Sequence, residues 1–462
     1  MVETLKFKEM KRLYITTIFA VLVMLSYGQD NAFLFLKGVP QTTQLNPAFR
    51  PIKGNYFALP ALGSIKVNGA NTGFSWSDII RQGTGVQSDS LIVDLDHVAG
   101  QLQDNNLIAS EAAIQILGFG MYAGNTYFTF DMIHKFKGQF NYPASILDMR
   151  YGNWDYENDR PINHSMSDLS LNGIDYTEIA FGFSTPINED ITIGARFKYL
   201  FGMANIKTDN FDVGIETFDD GSMEVRSQAS ILTSLPVEVE YDEDGYVNSI
   251  QYDETIDRGS LFTNNSRGMA IDLGVTWRLF DHLTLGAAVN DLGYINWKTR
   301  TRRFYSDGTF AYTGVDFSDN LKGEEGNSTN YWEEIGDSLQ NTFQVSAESI
   351  TYRTGLQGSF NLTADYQHRN WLNFGAVSRN YFIDGKWTPE FTLAAGISPG
   401  KALSTVVTYS MMKNAYTNLG AGVALRGGPL QLYFVTDNLN TLMSMNTARY
   451  LNMRLGVNLI FD

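Results

Sequence analysis

The sequence has no cysteine and only five histidines in 462 residues. Without cysteine there is no disulfide framework, no thiolate metal site, no cysteine nucleophile and no lipid-modified N-terminal cysteine. Charge is scarce too: Asp, Glu, Lys and Arg make up 18% of the chain, below the ~25% of soluble domains. What charge there is leans acidic, with a formal net of −16, which is the wrong sign for a nucleic-acid binder that neutralises phosphates. Long apolar runs are missing after residue 28. With a mean hydropathy of −0.18, that excludes a bundle of membrane helices, each of which needs about 20 apolar residues. Plentiful instead are glycine, at 42 residues, and aromatics, at 13%. Length alone suggests about three soluble domains; the composition points to one unusual one.

The single apolar stretch runs from Leu13 to Tyr27. Lys6, Lys8, Lys11 and Arg12 precede it, and Ser26-Tyr27-Gly28 follows with small residues where a signal peptidase reads. This is the order of a secretory signal over residues 1–28, with cleavage expected between Gly28 and Gln29. Met10 begins a cleaner signal than Met1. A membrane anchor is the alternative, but the stretch is short for a span and turns polar at once with Gln29, Asp30 and Asn31.

Beyond residue 110 the dominant pattern is strict alternation. Ile191, Ile193, Ala195, Phe197, Tyr199 and Phe201 alternate with Thr192, Gly194, Arg196, Lys198 and Leu200. Met269, Ile271, Leu273, Val275 and Trp277 alternate with Ala270, Asp272, Gly274 and Thr276. The chain closes on Leu451, Met453, Leu455, Val457, Leu459 and Phe461. A soluble sandwich and an outer-membrane barrel both use such strands. Three features favour the barrel: strands of about 9–13 residues, the length a tilted span needs; a second face rich in Gly, Thr and Asn, as a crowded polar lumen requires; and an amphipathic last strand with Phe461 next to the C-terminus, the kind of end that barrel-insertion machinery reads.

Short connections, such as Ala123-Thr126 and Arg426-Pro429, alternate with long ones at 137–173, 204–266 and 298–345. In transmembrane barrels the short turns are periplasmic and the long loops external. Counting back from a periplasmic C-terminus gives about fourteen strands, the first near Tyr56–Val67. The fold class expected is all-β, a transmembrane antiparallel β-barrel with an N-terminal plug segment at 29–53 and the barrel at 54–462. Residues 89–103 read as a short helix.

Charge is unevenly spread. Residues 209–258 hold fourteen Asp or Glu against two Arg, whereas residues 341–462 hold six acids against nine Lys or Arg. Runs such as Asp242-Glu243-Asp244-Gly245 lack the spacing of a twelve-residue calcium loop, so a solvated, self-repelling loop is expected there and no metal site is assigned. No phosphate loop, zinc spacing or nucleophile elbow appears. His164-Ser165 are neighbours whose side chains point apart on an extended chain. No catalytic residue, enzyme activity or cofactor is therefore assigned. Arg196, Lys198, Asp272, Arg278 and Arg454 fall on the polar face of strands, where charge is costly toward lipid, and are expected to face the lumen. Inward ion pairs that fill the barrel are the simpler role for them, and a ligand site the other.

Gly38-Val39-Pro40-Gln41-Thr42-Thr43-Gln44-Leu45-Asn46-Pro47-Ala48-Phe49, with its Asn-Pro-Ala motif soon after the signal, resembles the FadL-like superfamily of fourteen-stranded outer-membrane barrels. Long-chain fatty-acid transporters and the PorV barrel of type IX secretion belong to that superfamily. Asn290-Asp291-Leu292-Gly293-Tyr294-Ile295-Asn296-Trp297 is similar to a strand end in Bacteroidota members. Gly428-Pro429-Leu430-Gln431-Leu432-Tyr433 and Thr436-Asp437-Asn438-Leu439 resemble an uncharacterised Bacteroidota family of the same build. The resemblance implies residence in the outer-membrane lipid and an N-terminal plug carrying Asn46, Pro47 and Ala48. In that plug Pro47 would fix a turn and Asn46 would hydrogen-bond backbone groups; the alternative is that these residues start the first strand. It further implies passive transport of a small hydrophobic or amphipathic molecule. A PorV-like role as a non-transporting scaffold, docked to a larger surface, secretion or assembly complex, is the alternative. Asp89-Ser90-Leu91 and Asp337-Ser338-Leu339 match a short O-glycosylation pattern of Bacteroidota exports.

Overall fold

The computed structural model describes residues 30–51, 53–82, 90–253, 265–312, 343–383, 386–412, 415–443, 446 and 448–461. The expected signal segment and Ser338 lie outside the described residues.

Fourteen strands close into one antiparallel barrel. In chain order they are β1 (Asn55–Ala58 and Ile65–Asn71), β2 (Asn105–Ala123), β3 (Thr126–Pro143), β4 (Ser170–Pro186), β5 (Ile191–Thr217), β6 (Arg267–Phe280) and β7 (Leu283–Trp297). There follow β8 (Ser359–Arg369), β9 (Leu372–Ile383), β10 (Lys386–Ile397), β11 (Leu403–Met412), β12 (Ala415–Gly427), β13 (Leu430–Thr436) and β14 (Tyr450–Phe461). Each strand pairs with the next, and β14 closes on β1 with Phe461 opposite Asn55 and Leu455 opposite Ile65. Closure satisfies every ladder, the condition for a sheet to sit in lipid, where no water can meet an open edge.

Alternation sets the two faces. Phe197, Trp277, Leu393, Val407 and Leu432 are exposed on the outer wall, while Lys198, Asp272, Thr392, Thr408 and Gln431 beside them are buried. Phe280, Trp371 and Phe461 add exposed aromatics near the short-turn end, where a lipid-facing band ends in an aromatic girdle. The chain is an outer-membrane protein, with its short turns on the periplasmic side by the usual rule for such barrels.

β1 is broken inside the wall. Between Ala58 and Ile65 six residues stand against Gly456 and Val457 on β14. Ala61, at φ 59°, and Pro60 make the detour. The wall stays sealed: Ala61 N–H donates to Ile116 O (3.2 Å), Leu59 N–H to Val457 O (3.1 Å) and Val457 N–H to Leu62 O (2.9 Å). Gly456 is required here, since a Cβ would lie 2.1 Å from Gly63 O.

Beyond the membrane the structure departs from the loop expected over residues 204–266. β5 continues to Thr217, and from Asn205 outward it pairs with Met223–Ser234. That strand pairs with Thr301–Tyr312, which in turn pairs with Ser346–Ser349. The described part of the acidic stretch is thus largely strand, with Val237–Tyr241 and Val247–Tyr252 forming a further hairpin. Backbone groups stay paired along these strands, so self-repulsion among the carboxylates does not unfold it. The helix expected within 89–103 is Leu95–Gln101, capped by Asp94, whose side chain accepts from His97 N–H.

Candidate functional site

Residues 30–51 pack against the inner face of the wall. Two short helical turns shape them: α1 (Asn31–Phe35) and a 3-10 turn, Pro40–Gln44, with Pro40 at a position that needs no N–H. Phe33, Leu36 and Val39 are buried against Val377, Val406 and Val435 from β9, β11 and β13. The carboxylate of Asp437 accepts from Asn31 N–H (3.1 Å) and Ala32 N–H (2.7 Å), capping the exposed donors of α1. Asp30 pairs with Lys66 (2.7 Å) and Arg454 (3.3 Å).

Asn46, Pro47 and Ala48 precede β1 and sit on a floor made by β5, β6 and β7. Asn46 Oδ1 accepts from Ala48 N–H (2.9 Å), a local turn, and its Nδ2 lies 3.5 Å from both Val275 O and Ala287 O. Asn290 Nδ2 donates to Leu45 O (2.9 Å), and Ser184 Oγ donates to Ala48 O (3.1 Å). The floor has to be glycine: a Cβ on Gly194 would meet Pro47 O at 2.2 Å, and one on Gly274 would meet Asn46 Oδ1 at 2.1 Å. Gly194 and Gly274 are direct register partners across β5 and β6.

Of the five charged residues singled out in the sequence, four are buried. Arg196 bridges Asp131 (2.8 Å) and Asp272 (3.0 Å), and Lys198 bridges Asp272 (2.7 Å) and Asp291 (2.6 Å). Arg454 holds Asp30 and Ser64 Oγ, donates to Gln44 Oε1, and covers the Phe33 ring at 4.1 Å. Arg278 shares the strand phase of Asp272 but lies at the short-turn rim, half-exposed, paired with Asp190 at 3.2 Å. It stands apart from the buried network. Sequence reasoning missed Asp131, Lys135, Glu178 and Asp291; Lys135 meets Glu178 at 2.8 Å and completes the same network.

Among the described residues, cavities follow the barrel. One of about 210 Å³ near the long-loop end is lined by Ile174, Tyr176, Asn205, Ile206 and Leu356. It adjoins a polar chamber of about 130 Å³, sharing Lys137, Gln139 and Gln357 with it. A third, of about 330 Å³, lies at the short-turn end between Thr192, Thr276, Thr284 and Thr363 and the underside of the N-terminal segment, at Leu34, Phe35 and Phe49.

Among the described residues, His164 and His134 make no open nucleophile site. His164 Nε2 contacts Gly152 O (2.9 Å), while Ser165 Oγ turns to Ser167. His134 lies 3.2 Å from Asp175 and 3.1 Å from Thr177 Oγ1, but Thr177 is only 6% exposed and its hydroxyl is closed to a substrate. Among the described residues no three His, Cys, Asp or Glu side chains are grouped to hold a metal ion.

Residues 47–437 match a family described as "Family of unknown function (DUF5723)". The chain belongs to this family. A comparison with curated protein sequences finds no match. Among solved structures, the DUF5723 barrel is similar to the Ralstonia pickettii toluene transporter TbuX, at 9% identity and a TM-score of 0.44, over 95% of this chain and 99% of that one. It is also similar to a Pseudomonas aeruginosa FadL homologue, at 11% identity and a TM-score of 0.41, over 95% of this chain and 100% of that one.

Proposed function

We propose that this barrel passively transports a small amphipathic molecule across the outer membrane, and that residues 29–53 act as a plug which must shift to let it pass. The observation that carries this reading is the placing of the cavities. A polar chamber lies on one side of the N-terminal segment and an apolar-sided pocket on the other, with Leu45 lining the first and Leu34, Phe35 and Phe49 the second. The segment is held by apolar packing and by side-chain hydrogen bonds and ion pairs, which can exchange partners, whereas the wall is held by backbone ladders.

Cross-linking tests it. The chain has no cysteine, so a Gln41→Cys/Asn458→Cys pair joined by a short thiol cross-linker ties the plug to β14 alone. In proteoliposomes the untied variant passes small amphipathic solutes and the tied one does not. Equal influx before and after tying would overturn the reading.

The scaffold reading has its own support in the projecting sheet of β5, Met223–Ser234, Thr301–Tyr312 and Ser346–Ser349, which is more structure than a solute path needs. On that reading a partner leaves the membrane with the barrel in gentle detergent, and deleting the sheet releases it without altering influx.

A further inference from the structure

One row of residues on the outside of the wall carries charge where a lipid-facing strand should have none. Phe201 on β5 stands opposite Arg267 on β6, Arg267 opposite Asn296 on β7, and Asn296 opposite Arg353 on the short strand Tyr352–Gly355. Their phase is that of the exposed Tyr199, Met269 and Leu292, while Leu200, Ile295, Trp297 and Thr354 beside them are buried. The row therefore looks out of the barrel. It lies ten residues up β5 and β6 from the Ile191–Trp277 pair near the short turns. At the tilt of such strands that rise is about 25 Å, the height of a lipid-facing band, so the row marks the outer edge of the band.

Both guanidinium groups rest on rings. Arg267 lies over Phe201 at 4.6 Å from the ring centre and Arg353 over Tyr294 at 4.1 Å. Arg353 Nε donates to Asn296 Oδ1 (2.7 Å), and Arg267 Nη1 donates to Ser266 O (3.1 Å). Rings and amide oxygens hold the two side chains in place without neutralising them. From Leu292 to Ser306 the chain has four cations and no acid, although its net charge is −16. Of these, Lys298 and Arg300 are exposed just beyond the row, and among the described residues neither they nor Arg353 join a salt bridge. The carboxylates of Asp209 and Glu348 in the projecting sheet are taken by Arg303, at 3.8 and 3.2 Å. Cations gathered at a membrane edge find their counter-charge in lipid headgroups, and the guanidinium fork suits phosphate oxygens.

We propose that this row docks a phosphate-bearing glycolipid of the outer leaflet, of the lipid A class. Its phosphate meets Arg267 and Arg353, which two strand spacings set about 10 Å apart with Asn296 between them. Lys298 and Arg300 meet the rest of the anionic headgroup, and the acyl chains run down the wall over the exposed Met269, Leu273 and Leu292. A glycolipid is the occupant because the row sits on the long-loop side of the band, and the leaflet on that side of an outer membrane is built of lipopolysaccharide. The inference rests on the barrel's place in the outer membrane and is independent of transport.

The test is native mass spectrometry of the purified, folded barrel released from non-ionic detergent, after incubation with lipid A, dephosphorylated lipid A or phosphatidylglycerol, and with lipid A in the presence of inorganic phosphate. Lipid A is expected to stay on as a discrete adduct and its dephosphorylated form to be retained about tenfold less, since the charge-assisted bonds are then lost. Arg267→Gln/Arg353→Gln is expected to lower lipid A retention by a similar factor while the barrel keeps its heat-modifiable mobility on gels. Arg278→Gln, which removes a cation at the opposite rim, should retain lipid A like the parent. Equal retention of lipid A and its dephosphorylated form by the parent would overturn the proposal, whether or not the double variant folds. A folded double variant that retained lipid A fully would overturn it too. Phosphatidylglycerol held as well as lipid A would overturn the choice of a glycolipid in favour of any anionic lipid, and displacement of lipid A by inorganic phosphate would overturn it in favour of a free-anion site.

Discussion

Gln41 and Asn458 hold each other through a reciprocal pair of amide hydrogen bonds, Gln41 Nε2 to Asn458 Oδ1 at 2.6 Å and Asn458 Nδ2 to Gln41 Oε1 at 3.0 Å. One residue belongs to the N-terminal segment and the other to the last strand, so the two ends of the chain are tied inside the barrel. Gln41 Nε2 also reaches Gly63 O (3.0 Å), at the break in β1. A single amide therefore joins the segment both to the last strand and to the break in β1.

Gln41→Ala is expected to loosen the segment and lower stability by roughly 1–3 kcal/mol, because Asn458 is left buried with an unmet amide. The barrel itself should survive, since its ladders do not involve Gln41. The measurement is protease sensitivity of the N-terminal segment in intact membranes, together with solute influx; both should rise, and an unchanged cleavage pattern would contradict the tie.

Gly274→Val tests the floor under Asn46 and Pro47. A Cβ there meets Asn46 Oδ1 at 2.1 Å and Pro47 Cδ at 2.9 Å, and β-branching adds two more methyls. Valine suits the strand, so β6 should form while the Asn-Pro-Ala turn is pushed off its seat. Thiol labelling of Ala48→Cys should go from slow to fast in the Gly274→Val background. No change in labelling would mean that the turn is not held by this floor.

The buried network predicts a large loss from a single change. Arg196→Met leaves Asp131 and Asp272 each short of a partner in a space closed to water, and breaking such a pair costs about 3–5 kcal/mol. The double change Arg196→Met/Asp131→Asn removes one charge of each sign, leaves Asp272 on Lys198 (2.7 Å) and should recover much of the loss. The readout is the temperature at which the folded band is lost on semi-native gels. If Arg196→Met alone melted like the parent, the network would contribute nothing to stability.

Most of the wall was legible because a lipid-facing strand must alternate, and the short turns left clear gaps between the runs. The fourteen-strand count follows from that single rule. The same rule applied to β3 would have found Asp131 and Lys135, which share the inward phase with Thr129, Lys137 and Gln139, against Phe128, Phe130, Met132 and Phe136 on the other. Asp291 was out of reach: it has φ 58° at an irregularity in β7, which puts its side chain out of simple alternation. The outer sheet was missed for a different reason. Above the membrane the apolar phase of β5 shrinks to Phe211, Val213 and Ile215, a run too short to stand out from the charged and polar residues around it.

Asp78 lies in the outer cover rather than the lumen, in the connection between β1 and β2. Its carboxylate accepts from Ser75 N–H (2.7 Å) and Ser75 Oγ (2.8 Å), and Arg449 reaches it at 3.3 Å from the connection between β13 and β14. Partial burial works to raise its pKa, but the Ser75 hydrogen bonds and the Arg449 guanidinium outweigh it and hold the carboxyl below the ordinary range. A carboxylate whose folded pKa is lowered contributes its full stabilisation above the unfolded value of about 4 and loses it as pH falls through the folded value. The clamp between the β1–β2 and β13–β14 connections should thus hold at neutral pH and release only in strong acid. Protection from hydrogen exchange at residues 75–79, taken relative to the intrinsic rate at each pH, should fall below about pH 4 in the parent. In Asp78→Asn the lower protection should already be present at pH 7 and change little on acidification. An acid-triggered loss of protection of the same size in Asp78→Asn would assign the release to another group.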